Sequence, residues 1–438
     1  MRRFIAVMGV LTGCGGKVAC GPGTELLDGV CVPIDEDTQP GDSDDTGTPD
    51  DTNDTDDTDD TDDTEDTDDT DDTDDTDDTD RTYVKVAYFT EWGIYDRDYQ
   101  VADIPAEHLT HINYAFIDIS SSGDCVVYDN WAAYHSNGGN FANLRSLRTA
   151  HPHLKLLMSV GGWTLSERFP DVAATRSSRE RFVSSCISLM QQEDFDGIDV
   201  DWEYPVSGGL YDGTPEDKEN YSLLMAEFRS QIDAAGGGLL TIAAPAGAST
   251  VGNMDIEGLM VSLDWINIMT YDFHGSWESS THLHSPMYAS SDFPDGLTDG
   301  NTVDAAVQTY LDAGLPSEQL VLGVPLYGRV WGNVSATDDG LFQSGGNASG
   351  TWEDGVLDYW DIKTNYETSP ACTRHWHETA QVPWLYCTSG EFITYSDTES
   401  WTVKMDYIKD LGLGGAMTWE LSSDDTSHTM IKLMDSEL

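Results

Sequence analysis

The stretch DGIDVDWEYP, Asp196 to Pro205, decides the fold and carries three carboxylates at every second position. Successive side chains of a β-strand point to opposite faces, so Asp199, Asp201 and Glu203 are predicted to line one face of a strand. The alternate positions hold the bulky apolar residues Ile198, Val200 and Trp202. An exposed edge strand with solvated acids is the alternative, but these apolar side chains favour a buried strand.

Three acids side by side repel one another in a partly dry site. The repulsion is relieved when the row shares protons and its pKa values separate. A carboxylic acid that keeps its proton near neutral pH can act as a general acid. The acid row therefore predicts a catalytic site.

Eight short apolar runs, separated by amphipathic segments, predict eight strands. They are VKVAYF at Val84, HINYAF at His111, KLLMSVGG at Lys155, GIDVDWE at Gly197, LTIAAPA at Leu240, WINIMTYDF at Trp265, LVLGVPLYG at Leu320 and GGAMTWEL at Gly414. Helices are predicted from Ser177-Ser178 through Gln192 and from Pro215-Glu216 through Ala235. This alternation predicts an α/β fold, a (β/α)8 TIM barrel within residues 82–438.

The longest gap between these runs separates the seventh from the eighth. Residues 330–395 within it are rich in Gly, Trp, Tyr and Thr and predict a small α+β insertion. Loops that follow barrel strands gather on the catalytic face, so the insertion is expected beside the mouth of the barrel.

The first residues have the pattern of an export signal. Met1-Arg2-Arg3 is followed by an apolar run from Phe4 to Leu11 that is too short to span a membrane, and then by LTGC. We expect a lipoprotein signal peptide over 1–13, with lipid carried by Cys14; an ordinary signal peptide is the alternative. Both predict export, as a cell-surface or outer-membrane lipoprotein or as a secreted protein.

A run of Asp-Asp-Thr triplets fills the segment 35–81. It has 26 acidic residues between Asp35 and Asp80 and no Lys or Arg there. So charged a segment, with so few apolar residues, is predicted to be a disordered tether. The triplets lack the loop glycine and terminal Glu of dedicated calcium sites, so diffuse counter-ion binding is expected and no metal site is predicted.

The remaining chain is also strongly acidic. Removing those 26 charges from the formal net charge of −59 leaves −33. Nucleic acid and anionic membrane surfaces are therefore excluded as partners, and membrane contact is expected only through the lipid anchor. A neutral substrate fits this charge.

The chain has seven cysteines, and an exported protein can form disulfides because it folds outside the reducing cytosol. Cys20 and Cys31 flank a Gly/Pro-containing loop in the small segment 14–34, and Cys372 and Cys387 are similarly close together. Each of these two pairs is predicted to form a bond.

Cys125 and Cys186 remain only by elimination. Cys186 lies at helical spacing from Phe182 and Met190, which favours a buried free thiol at this position.

Seven motifs, in order, resemble glycoside hydrolase family 18, specifically its chitinases with an α+β insertion domain. They are YFTEW at Tyr88, NYAF at Asn113, SVGGW at Ser159, DGIDVDWEYP, MTYDFHGSW at Met269, GVPLYGR at Gly323 and GGAMTWELSSDD at Gly414. The resemblance spans residues 83–438 and excludes the tether.

The resemblance implies a nucleophile that belongs to the substrate. Glu203 would protonate the glycosidic oxygen, and Asp201 would hydrogen-bond the N-acetyl N–H of the sugar. Asp199 would share a proton with Asp201, and Tyr271 would donate to the acetamido group. No cofactor is implied.

The resemblance also implies a set of substrate-binding residues. They are Tyr88, Trp92, Phe116, Trp163, Tyr204, Met269, Asp272, Trp277, Tyr327, Arg329 and Trp419. Trp419 would form the floor beneath the sugar at the cleavage point, with core packing as the alternative. Trp92, Trp163 and Trp277 would stack sugars along a cleft, although each taken alone also fits interior packing.

The function that the sequence predicts is hydrolysis of chitin and chito-oligosaccharides by a monomeric, lipid-anchored enzyme. One alternative is a carbohydrate-binding protein without catalysis, although such proteins usually lack the acid that Glu203 provides. The other is an endo-acting N-acetylglucosaminidase on glycoproteins or peptidoglycan.

Overall fold

The computed structural model describes residues 81–294 and 300–438 in full and residues 24–27 and 30–33 as backbone. The predicted signal peptide, the predicted lipidation site Cys14, Cys20 and the predicted tether up to residue 80 lie outside the described residues. Within the unit of residues 1–76, strands β1 (Thr24–Leu27) and β2 (Val30–Pro33) pair antiparallel. Cys31 lies on β2, and its predicted bond to Cys20 stays a prediction.

Eight parallel strands close into a barrel in the unit of residues 77–438. They are β3 (Val84–Thr90), β4 (His111–Ile119), β6 (Lys155–Gly161), β7 (Gly197–Asp201), β8 (Leu239–Pro245), β9 (Trp265–Met269), β10 (Leu320–Pro325) and β17 (Gly415–Trp419). The barrel closes because β3 pairs with both β4 and β17. A short strand, β5 (Cys125–Val127), extends β4 antiparallel. The predicted (β/α)8 fold is confirmed.

Helices occupy the connections between the strands and the segment after the last strand. They are α1 (Asn130–Tyr134), α2 (Asn140–Ala150), α3 (Phe169–Ala173), α4 (Arg176–Glu193), α5 (Asp217–Ala234), α6 (Ala248–Val251), α7 (Ile256–Met260), α8 (Val303–Asp312), α9 (Tyr359–Asp361), α10 (Thr398–Leu411) and α11 (Thr429–Glu437). Short 3₁₀ turns occupy Glu91–Ile94, Val101–Asp103, Ala106–His108, Ser136–Gly138, Ser166–Arg168, Ser317–Gln319, Thr337–Gly340 and Leu421–Ser423, and a π turn occupies Ile362–Tyr366. Among the described helices none is long and apolar enough to cross a membrane.

The start of α4 lies slightly earlier than the sequence predicts. Thr175 is the N-cap, and its hydroxyl accepts a hydrogen bond from the backbone N–H of Ser178. Ser178 closes a capping box by accepting from the Thr175 backbone N–H, so the helix begins at Arg176.

A six-stranded antiparallel sheet lies between β10 and β17. Its strands are β11 (Tyr327–Gly332), β12 (Gly346–Asn347), β13 (Val356–Asp358), β14 (Cys372–His377), β15 (Val382–Cys387) and β16 (Phe392–Thr394). The order is β12-β11-β16-β15-β14, and β13 also pairs with β11. The predicted insertion between the seventh and eighth barrel strands is therefore present.

Two disulfides cross-link the described region. Cys372 and Cys387 face each other on β14 and β15, with Cα atoms 3.9 Å apart, as predicted. Cys125 is bonded to Cys186, with Cα atoms 5.0 Å apart. The predicted free thiol at Cys186 is thus wrong, because the sulfur of this helical residue faces β5, a strand that lies 61 residues away in the sequence.

Candidate active site

The acid row spans the carboxyl end of β7 and the loop beyond it. The strand ends at Asp201, so Glu203 lies just past it rather than within it as predicted. Asp199 and Asp201 are buried inside the barrel, whereas Trp202 points outward and stacks on Phe169 with ring centroids 5.3 Å apart. The alternation from the strand therefore still directs the three acids to the same side.

The turn that carries Glu203 is held by one hydroxyl. Ser166 accepts a hydrogen bond from the Glu203 backbone N–H at 2.9 Å, while its own O–H lies close to the carbonyls of Gly162 and Asp201. Ser166 thereby joins the loop after β6 to the loop after β7, and the sequence analysis missed it.

Four donors surround the carboxylate of Asp199. Tyr88 Oη and Ser159 Oγ donate to Oδ2 at 2.8 and 2.7 Å, and Thr241 Oγ1 and Asn267 Nδ2 donate to Oδ1 at 2.6 and 3.3 Å. Complete burial raises the pKa of Asp199, and these four hydrogen bonds oppose the rise.

Asp201, the next acid in the row, has fewer hydrogen-bond partners than Asp199. Asp201 Oδ1 is buried and accepts no hydrogen bond from any described residue. Burial, followed by the charges of Glu203 and Asp199, raises the pKa of Asp201 well above its ordinary value. Asp201 therefore holds a proton more tightly than an exposed aspartate does, and its buried Oδ1 lacks a hydrogen-bond partner among the described residues.

Glu203 is half-buried at the mouth of the barrel. Burial raises its pKa to about 7; a hydrogen bond to Tyr204 opposes the rise and the charge of Asp272 adds to it. A carboxyl group that titrates near neutral pH can donate a proton and later accept one.

Tyr271 lies within an apolar cluster at the barrel mouth, and its hydroxyl is 3.8 Å from Met417 Sδ. Burial and the charge of Asp201 raise the pKa of Tyr271 well above its ordinary value. The phenol therefore stays protonated and remains a hydrogen-bond donor.

Asp272 forms a two-point ion pair with Arg329 across the end of the insertion sheet. Arg329 Nε and Nη2 lie 2.7 and 2.5 Å from the two carboxylate oxygens. Burial opposes ionisation, but Arg329 and His284 outweigh it and lower the pKa of Asp272. The guanidinium also lies over the rings of Trp277 and Tyr327, with Cζ 4.9 and 5.3 Å from their centroids.

Aromatic rings line the floor of the site. Trp419 stacks on Phe116 with centroids 5.7 Å apart and an interplanar angle of 20°, and it also contacts Tyr88 and Trp92. Met269 is partly buried against the same cluster. Trp419 is partly buried and packs against this cluster, so its role as a floor for the sugar stays a prediction.

Three further tryptophans are exposed. Trp92, Trp163 and Trp277 keep 39%, 47% and 59% of their surface accessible, which excludes the interior-packing alternative. The rings of Trp163 and Tyr204 meet edge to face at 6.5 Å.

Two glycines at the end of β6 make room for this site. Gly161 has φ +108° and a Cβ there would lie 2.3 Å from the Asp201 carbonyl oxygen. Gly162 has φ +87° and a Cβ would lie 2.5 Å from the ring of Phe116. Both positions thus require glycine.

Thr241 and Asn267 were also missed by the sequence analysis. Both are buried on barrel strands at positions whose side chains reach Asp199. A search for polar residues within otherwise apolar strands would have found them. Within the described ranges no group of three or more His, Cys, Asp or Glu residues is arranged to hold a metal ion.

A barrel with interacting carboxylates at the end of one strand and aromatic rings around them defines a glycosidase type of site. The profile of "Glycosyl hydrolases family 18" matches residues 84–424. The chain belongs to this family and is a glycoside hydrolase.

Similar proteins extend this result. The chain is 41% identical to Chitinase A1 of Niallia circulans over 80% of its own length, and it spans 58% of that relative. Chitinase ChiA74 from Bacillus thuringiensis is structurally similar, with a TM-score of 0.74, 38% identity and coverage of 78% of this chain and 66% of that one. A family 18 N-acetylglucosaminidase from Paenibacillus barengoltzii is also structurally similar, with a TM-score of 0.71 and 28% identity. The match covers 82% of this chain and 100% of that one.

Proposed function

We propose that this protein is a chitinase that hydrolyses β-1,4 bonds between N-acetylglucosamine units with retention of configuration. The observation that carries the proposal is the pairing of Glu203, whose pKa is raised to about 7, with Asp201, whose buried Oδ1 has no partner among the described residues. The similarity to chitinases supports the choice of substrate.

In the first step, Glu203 gives its proton to the glycosidic oxygen as the bond from that oxygen to the anomeric carbon breaks. The acetamido carbonyl oxygen of the same sugar forms the new bond to the anomeric carbon, which gives a cyclic oxazolinium ion. Asp201 accepts a hydrogen bond from the acetamido N–H, and Tyr271 donates one to the acetamido group.

In the second step, the Glu203 carboxylate takes a proton from water, and the water oxygen attacks the anomeric carbon. The cyclic bond breaks and the acetamido group is restored. Two inversions give net retention. Attack by a group of the same sugar avoids a bimolecular encounter, which is worth about 7 to 11 kcal/mol of barrier for well-aligned groups.

Partly deacetylated chitosan tests this mechanism. A glucosamine unit at the cleavage point has no acetamido carbonyl, so Asp201 and Tyr271 would have no group to orient. Every new reducing end should be N-acetylglucosamine, while the unit across the cut can be either sugar. Reducing-end labelling followed by mass spectrometry identifies the sugar at each new reducing end. A substantial share of glucosamine at these ends would rule out the mechanism.

The substrate class needs its own comparison, because a similar fold carries N-acetylglucosaminidase activity in the Paenibacillus barengoltzii protein. Products from chitin hexamer, peptidoglycan and a high-mannose glycoprotein should be analysed side by side. Cleavage of the hexamer alone supports a chitinase. Cleavage of either other substrate at a higher rate would favour the endo-acting alternative, and binding without cleavage would favour a non-catalytic protein.

We further propose that the protein is exported, is anchored by lipid on Cys14 and acts as a monomer at the end of its acidic tether. The two disulfides in the described region support folding in an oxidising compartment, because such bonds persist outside the cytosol.

A further inference from the structure

The chain just after β9 carries Tyr271 and Asp272, and a neighbouring stretch of the protein holds it in place. Ser285 Oγ donates to the Thr270 carbonyl at 2.6 Å. The backbone N–H of Asp272 donates to His284 Nδ1 at 3.1 Å. Asp272 has φ +57°, a left-handed conformation that costs free energy in a residue with a side chain and persists only where neighbours hold it. The placement of Tyr271 therefore depends on these two contacts.

A buried lysine of helix α10 supports the first of the two contacts. Lys404 Nζ donates to Ser285 Oγ at 2.7 Å and to Ser396 Oγ at 3.3 Å. The Ser285 hydroxyl thus accepts from the ammonium and donates to the Thr270 carbonyl. Hydrogen bonds in such a chain strengthen one another, so the charge of Lys404 makes Ser285 a better donor. The chain leads from α10 to the residue directly before Tyr271.

The ammonium of Lys404 is costly to bury. The side chain is fully buried, and burial lowers its pKa to about 7, although the charge of Asp397 opposes the fall. A charged group taken out of water destabilises a fold unless its hydrogen bonds are made, and these bonds go to the two serine hydroxyls. An apolar side chain of similar length would avoid the cost. This indicates that the lysine does more than fill space.

We propose that Lys404 is a positioning residue that fixes the Thr270 carbonyl through the Ser285 hydroxyl and thereby directs the Tyr271 phenol to the acetamido group of the substrate. The inference rests on the proposed chitinase function and adds to it a residue behind the site. Because Lys404 is fully buried, its effect on the reaction must pass through residues such as Tyr271.

A double-mutant cycle between Lys404→Met and Tyr271→Phe tests this inference, with kcat measured on a chitobiose glycoside that has a fluorescent leaving group. Methionine keeps an apolar chain of similar length but donates no hydrogen bond. We expect kcat of Lys404→Met to fall about threefold to tenfold, as for one weakened hydrogen bond in the transition state. In the Tyr271→Phe background, which already lacks the phenol, the same substitution should change kcat by less than about twofold.

Two serine variants separate the proposed route from other effects of the lysine. Ser285→Ala interrupts the chain of hydrogen bonds but leaves the lysine in place, so it should show the same non-additive loss with Tyr271→Phe. Ser396→Ala is the matched control, because it removes the other hydroxyl that Lys404 contacts and leaves the bond from Ser285 to Thr270 intact. Its kcat should match that of the wild type within about twofold.

Losses that multiply in the double variant would show that Lys404 acts on the whole fold rather than on Tyr271, and would overturn the inference. A wild-type kcat in Lys404→Met would overturn it as well and leave the proposed function intact. If Lys404→Met does not fold, the cycle with Ser285→Ala decides by the same criterion. An undiminished kcat in Tyr271→Phe would contradict the role of Tyr271 in the proposed function, and the inference with it.

Discussion

Asp199 and Asp201 lie two residues apart on β7, yet their carboxylates have opposite surroundings. Asp199 accepts four hydrogen bonds, whereas the buried Oδ1 of Asp201 accepts none from the described residues. Burial, followed by the charges of Glu203 and Asp199, raises the pKa of Asp201 well above its ordinary value. The acid that has a free oxygen is the one that would face the substrate.

Glu203→Gln should keep the fold and oligosaccharide binding but lose at least about 100-fold in kcat, because an amide cannot donate the proton that the leaving oxygen needs. Steady-state kinetics on a chitobiose glycoside and calorimetry with chitin hexamer measure the two effects. Turnover near the wild-type value would remove Glu203 from the acid role.

Asp201→Asn should slow turnover by at least about 100-fold and should also change the pH profile. The acid must be protonated, so wild-type activity should fall as pH rises through about 7, the pKa of Glu203. Besides burial, the charge of Glu203 raises the pKa of Asp201, so the two carboxyl groups titrate as a pair. An asparagine cannot ionise, so the alkaline limb of the variant should differ from that of the wild type; an unchanged limb would mean that the acids do not interact.

Thr241→Val removes the 2.6 Å hydrogen bond to Asp199 and should lower the free energy of unfolding by about 1.5 to 3 kcal/mol, since the acceptor is a buried carboxylate. Thr418→Val is the control, because Thr418 donates to the neutral carbonyl of Val324 and should cost about 1 kcal/mol. Urea unfolding measures both. A loss in Thr241→Val no larger than in the control would contradict a charged Asp199.

Acid should destabilise the fold through His282. Burial, followed by the charge of His274, lowers the pKa of His282 to about 3, against 6.5 as the ordinary value. This neutral histidine contributes stability above pH 6.5 that is lost as pH falls from there towards 3. His282→Asn keeps an acceptor for the Leu283 N–H. In this variant the free energy of unfolding should fall less steeply with decreasing pH, by up to about 1.4 kcal/mol per pH unit. Equal slopes in both proteins would refute this.

Cys14→Ser should release the protein from the membrane fraction and leave activity on soluble oligosaccharides intact. The acidic tether separates the anchor from the barrel, so anchoring and catalysis are expected to be independent. Cell fractionation with an activity assay measures both, and a variant that still partitions with membranes would exclude the lipid anchor.

The sequence predicted the barrel strands and the acid row because both depend on local alternation of side chains. It could not predict that Thr241 and Asn267 meet Asp199, since those contacts depend on how distant strands pair around the barrel. The bond from Cys125 to Cys186 was missed for the same reason. Helical spacing shows which side of α4 is buried, but not which strand covers it.

The barrel closes where β17, the last of its strands in the sequence, lies beside β3, the first. A nascent chain that lacks residues 415–419 therefore leaves the wall beside Tyr88 open and has no Trp419 to stack on Phe116. The catalytic unit cannot fold completely before nearly all of it has been synthesised. If the chain is exported unfolded, as proposed above, this order of strands keeps the barrel open until its last strand has been made.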